Sequence, residues 1–388
     1  MKSLRYARKA ALLYARLAAL LGSLLLVLLC QRGLAQPVDY VGLPALQGFQ
    51  PHQSQVLDLT WAGERLFAVG ERGLIAYTDD YGANWQQARV PVGQTLTAID
   101  FPNEEQGWAV GHGGVILHSG DRGESWQLQF DGNSAAQQWL GYSQGRQAAL
   151  EASLSSASGM EREDLEFELE EVVFEIEDTE LALKSGPADP FLDVWFENES
   201  VGWAVGAYGL IFSTENGGLQ WELAAGNIVN RERYHYYRIA GGEDGRMYLS
   251  GEAGIIYRSD NWGSDWKRLP LDYDGSLFGV IALEGDAVVC FGLRGNVFRS
   301  DDAGNNWIAV DPDPDPGLSL YGGARLEGGR LVLVGAGGGM AISNDQGRSF
   351  SSEVHSSRTT FSAVVDMGKD LLLGGMSGLV RIPAGAKR

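Results

Sequence analysis

Gly202-Trp203-Ala204-Val205-Gly206-Ala207-Tyr208-Gly209-Leu210-Ile211-Phe212-Ser213-Thr214-Glu215-Asn216-Gly217-Gly218-Leu219-Gln220-Trp221 reads as two short strands joined by a glycine turn, then a polar loop closed by tryptophan. The chain carries seven copies of this phrase. Their first strands and glycines are Leu66–Gly70, Trp108–Gly111, Trp203–Gly206, Met247–Gly251, Val288–Gly292, Leu331–Gly335 and Leu371–Gly374. A second glycine follows three residues later, with one extra residue in the last copy (Gly378). A period of roughly 40 residues with about four short strands per unit predicts an all-β, seven-bladed β-propeller of four-stranded blades.

Six copies continue as Ser/Thr-x-Asp/Asn-x-Gly-x-x-Trp/Phe. The pairs are Asp80 with Trp85, Asp121 with Trp126, Asn216 with Trp221, Asn261 with Trp266, Asp302 with Trp307, and Asp345 with Phe350. An Asp or Asn side chain can bond the amides of a tight turn, and the glycine adopts a backbone angle that other residues avoid. The aromatic ring fills the gap between neighbouring sheets. Such loops are Asp-boxes and resemble the BNR repeat. The seventh copy ends at Gly378–Ile382 without a loop, so its outer strand is missing. Val38–Gly42 is expected to supply that strand, closing 36–388 into a ring without open edges.

Residues 1–35 read as a signal peptide: five cations from Lys2 to Arg16, an apolar run from Leu17 to Leu29, and small residues at Gly33-Leu34-Ala35. Cys30 lacks the small residue expected before a lipidated cysteine. Removing these six basic residues, with no acids among them, takes the formal charge from −20 to −26. A nucleic-acid partner is excluded on that balance. Cys290 is then the sole cysteine and reads as core, with no disulfide, metal or cofactor site implied.

Two irregular stretches interrupt the repeats. Residues 133–188 form an acidic insertion between blades 2 and 3. Its first half, 135–158, reads as helix. The second, 161–180, holds eleven acids against one arginine. Leu165, Leu169, Val172, Val173 and Ile176 fit a helical face, whereas Leu165, Phe167 and Leu169 fit strand alternation. The insertion is either a solvated excursion or a docking arm whose apolar stripe meets a partner. Asn230–Arg238 mixes cations with aromatics ahead of blade 4, and Asp311–Gly317 alternates acid and proline as a stiff connector.

Strands a to d alternate in direction from the axis outward. The b–c turns and d–a linkers therefore share one face, and the Asp-boxes, as c–d turns, lie on the other as scaffold. The first face collects Arg72, His112, Tyr208, Arg231, Arg233, Tyr234, His235 and Arg294 as the expected partner-binding residues. Arginines there offer planar, bidentate bonding to carboxylates.

The phrase Gly-Trp-Ala-Val-Gly-x-x-Gly, continued into an Asp-box at Gly107–Trp126 and Gly202–Trp221, resembles the photosynthesis system II assembly factor family. The resemblance covers 56–382 apart from the insertion. It implies a non-enzymatic, monomeric propeller outside the cytoplasmic membrane, with an arginine-bearing face that helps assemble an integral-membrane complex. That complex is photosystem II if the source is photosynthetic. The long insertion and poor lipidation signal depart from the compact photosynthetic form and point to a bacterial relative, serving a periplasmic membrane machine such as an efflux-type transporter. Two alternatives stay open: a carbohydrate- or peptide-binding propeller, and a sialidase-type hydrolase. Asp-boxes also occur in sialidases, Arg381-Ile382-Pro383 superficially matches a sialidase motif, and Tyr208 or Tyr234 with Glu252 could form a nucleophile pair.

Overall fold

The computed structural model describes residues 42–186, 189–242, 244–313 and 317–383. Among these residues the strands form seven antiparallel sheets, six of four strands and one of three. Neighbouring sheets meet along their first strands, which are Val56–Ala62, Leu96–Asp100, Phe191–Phe196, Tyr236–Gly241, Leu277–Ala282, Leu320–Arg325 and Phe361–Asp366. The repeat therefore closes as a seven-bladed ring. Each Gly-x-x-Gly joins strands b and c.

Seven apolar clusters fill the ring, one at each blade interface. Trp126, Trp221, Trp266 and Phe350 are buried in four of them, and Trp85 and Trp307 pack against two more. Blade 7 has no Asp-box, so its interface with blade 6 is filled by Phe361, Val364, Leu371 and Leu373 instead.

Each Asp-box hangs on its Ser/Thr hydroxyl. Thr78 Oγ1 donates to Asp80 at 2.7 Å and accepts from the Gly82 amide at 3.0 Å, while Asp80 Oδ1 accepts from the Asn84 amide at 2.8 Å. Ser259, Asn261, Gly263 and Asp265 repeat this at 2.9, 2.9 and 3.0 Å. A single acceptor oxygen does the work at these positions, so Asn216 and Asn261 serve as well as aspartate.

The glycine ending strand b has a different reason to be glycine. Its φ lies near 180°, which any residue adopts. A Cβ on Gly70 or Gly335, however, would sit 1.9 Å from the carbonyl oxygen of Gln55 or Ser319. Gly111, Gly206, Gly251, Gly292 and Gly375 face the same obstruction at 2.2, 2.3, 2.3, 2.1 and 2.1 Å; in blade 7 the position thus falls on Gly375 and not on the expected Gly374, which restores the regular spacing to Gly378. In all seven blades that carbonyl, one residue ahead of strand a, accepts the amide following the glycine, at 2.8–3.2 Å. Every inner strand is irregular at its second residue, as a β-bulge requires.

The expected closing strand, Val38–Gly42, falls outside the described residues except for Gly42. Among the described residues side chains close the ring: Val56, Leu59, Leu66 and Ala68 pack on Ala363, Val365 and Leu372. Trp61 Nε1 donates to Asp366 O at 3.0 Å, and Ser362 Oγ to Val56 O at 2.7 Å. The signal segment also lies outside them. Cys290 is buried on strand b of blade 5, where burial pushes its thiol pKa up.

The insertion is two helices, α1 (Gly132–Leu154) and α2 (Met160–Ser185). The acidic half is thus helix throughout. Val172 is fully buried and Leu165, Leu169, Val173 and Ile176 are half-buried, while Phe167, which alternation would have placed with Leu165, is exposed. In the proline linker the Asp313 amide donates to Phe350 O at 3.0 Å, tying it to blade 6.

Gly335→Ala should lower stability by about 2 kcal/mol or more, because backbone must move to admit the methyl group. Gly141→Ala, in α1 with nothing within 4 Å of the added carbon, should raise it by up to about 1 kcal/mol. Denaturant melts of the two variants check this pair.

Candidate partner-binding face

In blades 1 to 6 the residue before the second glycine of the b–c turn is left-handed. These are Arg72 (φ 59°), Gly113 (75°), Tyr208 (52°), Ala253 (51°), Arg294 (59°) and Gly337 (56°). Blades 2 and 6 use glycine there, whereas blades 1, 3 and 5 hold two arginines and a tyrosine in a conformation costing a non-glycine residue about 1–2 kcal/mol. Arg233 (53°) and Arg358 (54°), in d–a linkers of the same face, share it. The Asp-boxes of the other face share this conformation at Tyr81, Arg122, Trp262, Ala303 and Gln346, so it is a property of the repeat.

Arg72 is 62% exposed in its side chain, 5.2 Å over the Phe49 ring and 3.7 Å from Glu71. The Arg294 amide is held by Ser319 Oγ at 3.0 Å. His112 is exposed at the turn from which α1 rises, with Gly132 packed against Gly114. The Tyr208 amide donates to His235 Nδ1 at 3.1 Å, and the two rings meet edge-on at 4.7 Å. Nδ1 as acceptor places the neutral imidazole's proton on Nε2. Glu252 accepts from the His235 amide at 3.3 Å. Tyr234 is partly buried, its backbone clasped by Asn230 at 3.0 and 2.9 Å.

The helical hairpin occupies two of the expected arginines. The Arg233 guanidinium lies 5.0 Å over Trp139 of α1 and donates to Tyr208 O at 3.3 Å. Arg231 stands 3.9 Å from Glu168 of α2. Gln138 fastens α1 to blade 3, donating to Trp221 O at 2.7 Å and accepting from the Leu223 amide at 2.9 Å. Between the helices Glu175 accepts from Trp139 Nε1, from Ser143 Oγ at 3.0 Å and from Arg146 at 3.2 Å. Tyr208, Arg233, His235 and the hairpin therefore form one cluster, while Arg72 and Arg294 stand on blades 1 and 5.

Three features escaped the sequence reading. Tyr237, Phe278 and Tyr321, the bulge residues of blades 4 to 6, pack in turn with tilted rings 5.1 Å apart, and His235 adjoins Tyr237 at 6.2 Å. With Tyr208 they make an aromatic arc around the mouth of the axial channel. Each lies fourteen residues ahead of its strand-b glycine, a register that could have found them. Arg358 carries no motif. Arg238 turns to the axis, 3.4 Å from Asp193; its side chain is 42% exposed to channel solvent although protein surrounds it, while Asp193 is 3% exposed. Asp58, Asp100 and Asp193 each accept a backbone amide of the next blade, from Ile99, Phe196 and Ile239, at 3.1, 2.7 and 2.8 Å. Burial raises all three carboxyls: Asp100 to about 6, and Asp193 to about 7 against the opposing pull of Arg238.

The pattern of the family described as Photosynthesis system II assembly factor YCF48 matches residues 49–133 and 177–368 and breaks off within the hairpin. The chain is 29% identical to the Photosystem II assembly lipoprotein Ycf48 of Synechococcus sp. (strain CC9902) over 125 residues, 31% of this chain and 37% of that one. The match thus spans little more than a third of that relative. A structure of YCF48 bound to D1 peptide is similar at TM-score 0.58 and 15% identity, over 89% of this chain and all of that one. YCF48 from Cyanidioschyzon merolae gives 0.58 and 15% over 86% and 97%. The GH74 enzyme of Niastella koreensis gives 0.56 and 13% over 89% and 53%. At these identities the structural likeness is one of fold.

Arg72→Gly and Arg294→Gly should each stabilise the chain by roughly 0.5–1 kcal/mol through release of backbone strain, read as a raised unfolding midpoint. The axial carboxyls set a pH dependence. Their folded-state pKa values are raised, so their contribution is full below the unfolded value near 4 and fades as pH rises through about 6 and 7. Asp80, held down to about 2 by bonds from Asn84 and Thr78, acts the other way below pH 4. The melting temperature should therefore climb as pH falls from about 8 to 5 and drop below 4, and Asp193→Asn should flatten the upper limb.

Proposed function

This chain belongs to the family of Photosynthesis system II assembly factor YCF48, and from that premise we propose that it is a non-enzymatic scaffold whose b–c face holds a peptide segment of a membrane-protein subunit during assembly. The observation that carries the reading is the aromatic arc Tyr208–His235–Tyr237–Phe278–Tyr321, on the same face as the arginines held at left-handed turns. Rings give a peptide apolar and π contact at low entropic cost, and guanidinium groups bind its carboxylates bidentately. The D1 peptide bound by a relative of the same fold is a ligand of that kind. Its parent complex, photosystem II, is the partner this reading favours; nothing among the relatives speaks for an efflux-type transporter.

The sialidase reading gains no support from its motif. Arg381 is taken up at the last strand of blade 7, donating to Asp370 at 2.7 Å and to Tyr81 O at 3.2 Å. We assign the scaffold to the outer side of the energy-transducing membrane, in line with the lipoprotein relative. Among the described residues no helix is long and apolar enough to cross a membrane.

Fluorescence anisotropy with a labelled D1 peptide tests the proposal. The exported protein should bind, and Arg72→Glu with Arg294→Glu should weaken binding roughly tenfold or more, since each charged bond contributes about 1.5–3 kcal/mol. Full binding by that variant, with loss on deleting 134–185, would place the peptide on the hairpin instead. Absence of peptide binding together with recognition of a glycan array would make the chain a carbohydrate binder.

A further inference from the structure

One face of α2 is left largely exposed. Met160, Phe167, Phe174 and Leu181 recur every seven residues and are 80%, 64%, 69% and 62% exposed. A seven-residue step rotates a helix by only about 20°, so the four side chains form one column about 30 Å long. Three and four residues after its first three members come Glu163 and Asp164, Glu170 and Glu171, and Glu177 and Asp178, all exposed. That spacing sets each acid pair on the same face as the column. The helix's other seam, with Val172, Glu175 and Thr179 buried, is already satisfied by α1. Scattered exposed apolar residues need no explanation; four large ones in heptad register, interleaved with six acids, form a second seam. Phe174 also walls a cleft of about 650 Å³ that reaches the blade 3–4 linker at Val229, itself 73% exposed.

We propose that this column is a docking site for a cationic amphipathic helix of a partner protein. A heptad column is what a second helix reads as its seam, and lysines or arginines flanking that helix's apolar stripe would meet the acid pairs. Charge complementarity selects this occupant. A second copy of the chain would bring its own six acids against these six, and an anionic bilayer would be repelled in the same way. The column stands on the hairpin apart from Arg72 and Arg294, although Arg231 and Arg233 line the cleft beside Phe174, and its first three members lie where the family pattern is interrupted. The hairpin thus adds a second point of attachment to the scaffold.

The test uses the exported protein and a labelled synthetic helix of about three heptads, with leucine at the seam and lysine beside it. The protein should bind this peptide and not its glutamate-for-lysine counterpart. Phe167→Ser with Phe174→Ser, which leaves every charge in place, should weaken binding roughly tenfold or more. Arg72→Glu with Arg294→Glu should leave it unchanged, so this site and the peptide face fail independently. Circular dichroism should show the hairpin intact in the serine variant, as both rings are exposed. Equal binding by the serine variant and the parent would reduce the interaction to general attraction by an acidic protein and overturn the proposal. So would competition by a peptide copying residues 1–35, if it saturates the column in the purified protein.

Discussion

One carbonyl in each blade carries the geometry. It belongs to the residue just ahead of strand a, and it accepts the amide that follows the strand-b glycine. The contact is so close that no Cβ fits beside it. Because the two strands are drawn together there, strand a takes up an extra residue as a bulge, and in blades 4 to 6 that residue joins the aromatic arc. In blades 1 to 6 the turn that follows has a left-handed apex, whereas blade 7 makes the same bond with no left-handed apex residue. The same frame sets Tyr237, Phe278 and Tyr321 in the arc and Arg72 and Arg294 at the rim. Seven repetitions make the face a rigid frame whose side chains can differ from blade to blade.

Charge is sorted on that frame rather than spread evenly. A molecule with formal charge −20 has arginines on both faces: those of the Asp-box side, such as Arg65, Arg246 and Arg299, are paired with Asp79, Asp286 and Asp301, while the hairpin covers part of those on the b–c face. Trp139 and Glu168 engage Arg233 and Arg231, leaving Arg72, Arg294 and Arg358 around the rest of the rim. Exposed pairs such as Arg231 with Glu168 contribute little stability, about 0–1 kcal/mol. Their consequence is orientation: they fix the hairpin against blades 3 and 4 while its acidic outer face points away. The axial carboxyls follow another logic, since burial favours their neutral forms against the opposing pull of Arg238 and makes inter-blade contact sensitive to pH.

Much of the fold could be read from residue order because its determinants are local. An Asp-box completes its bonds within seven residues, so Thr78, Asp80, Gly82 and Asn84 announce it by spacing alone. Strand polarity then assigns the turns to faces without any coordinates. The face itself was legible only where its residues lie in turns. Tyr237 sits beside Arg238 in one short stretch, yet a single step along the strand sends one to the aromatic arc and the other to Asp193. The acidic half of the insertion was ambiguous because Phe167 and Phe174 belong to a different seam from Leu165 and Val172, and a sequence superimposes the two.

The sequence by itself determined the number of blades, the scaffold loops and which turns share a face, because each rests on contacts between near neighbours repeated in phase. Tertiary structure decided which side chains on that face stand together. The aromatic arc draws residues about forty positions apart from successive blades, and Arg231 and Arg233 are claimed by a hairpin that begins a hundred residues earlier. Such proximity is set by ring closure and inter-blade packing, which no local spacing encodes.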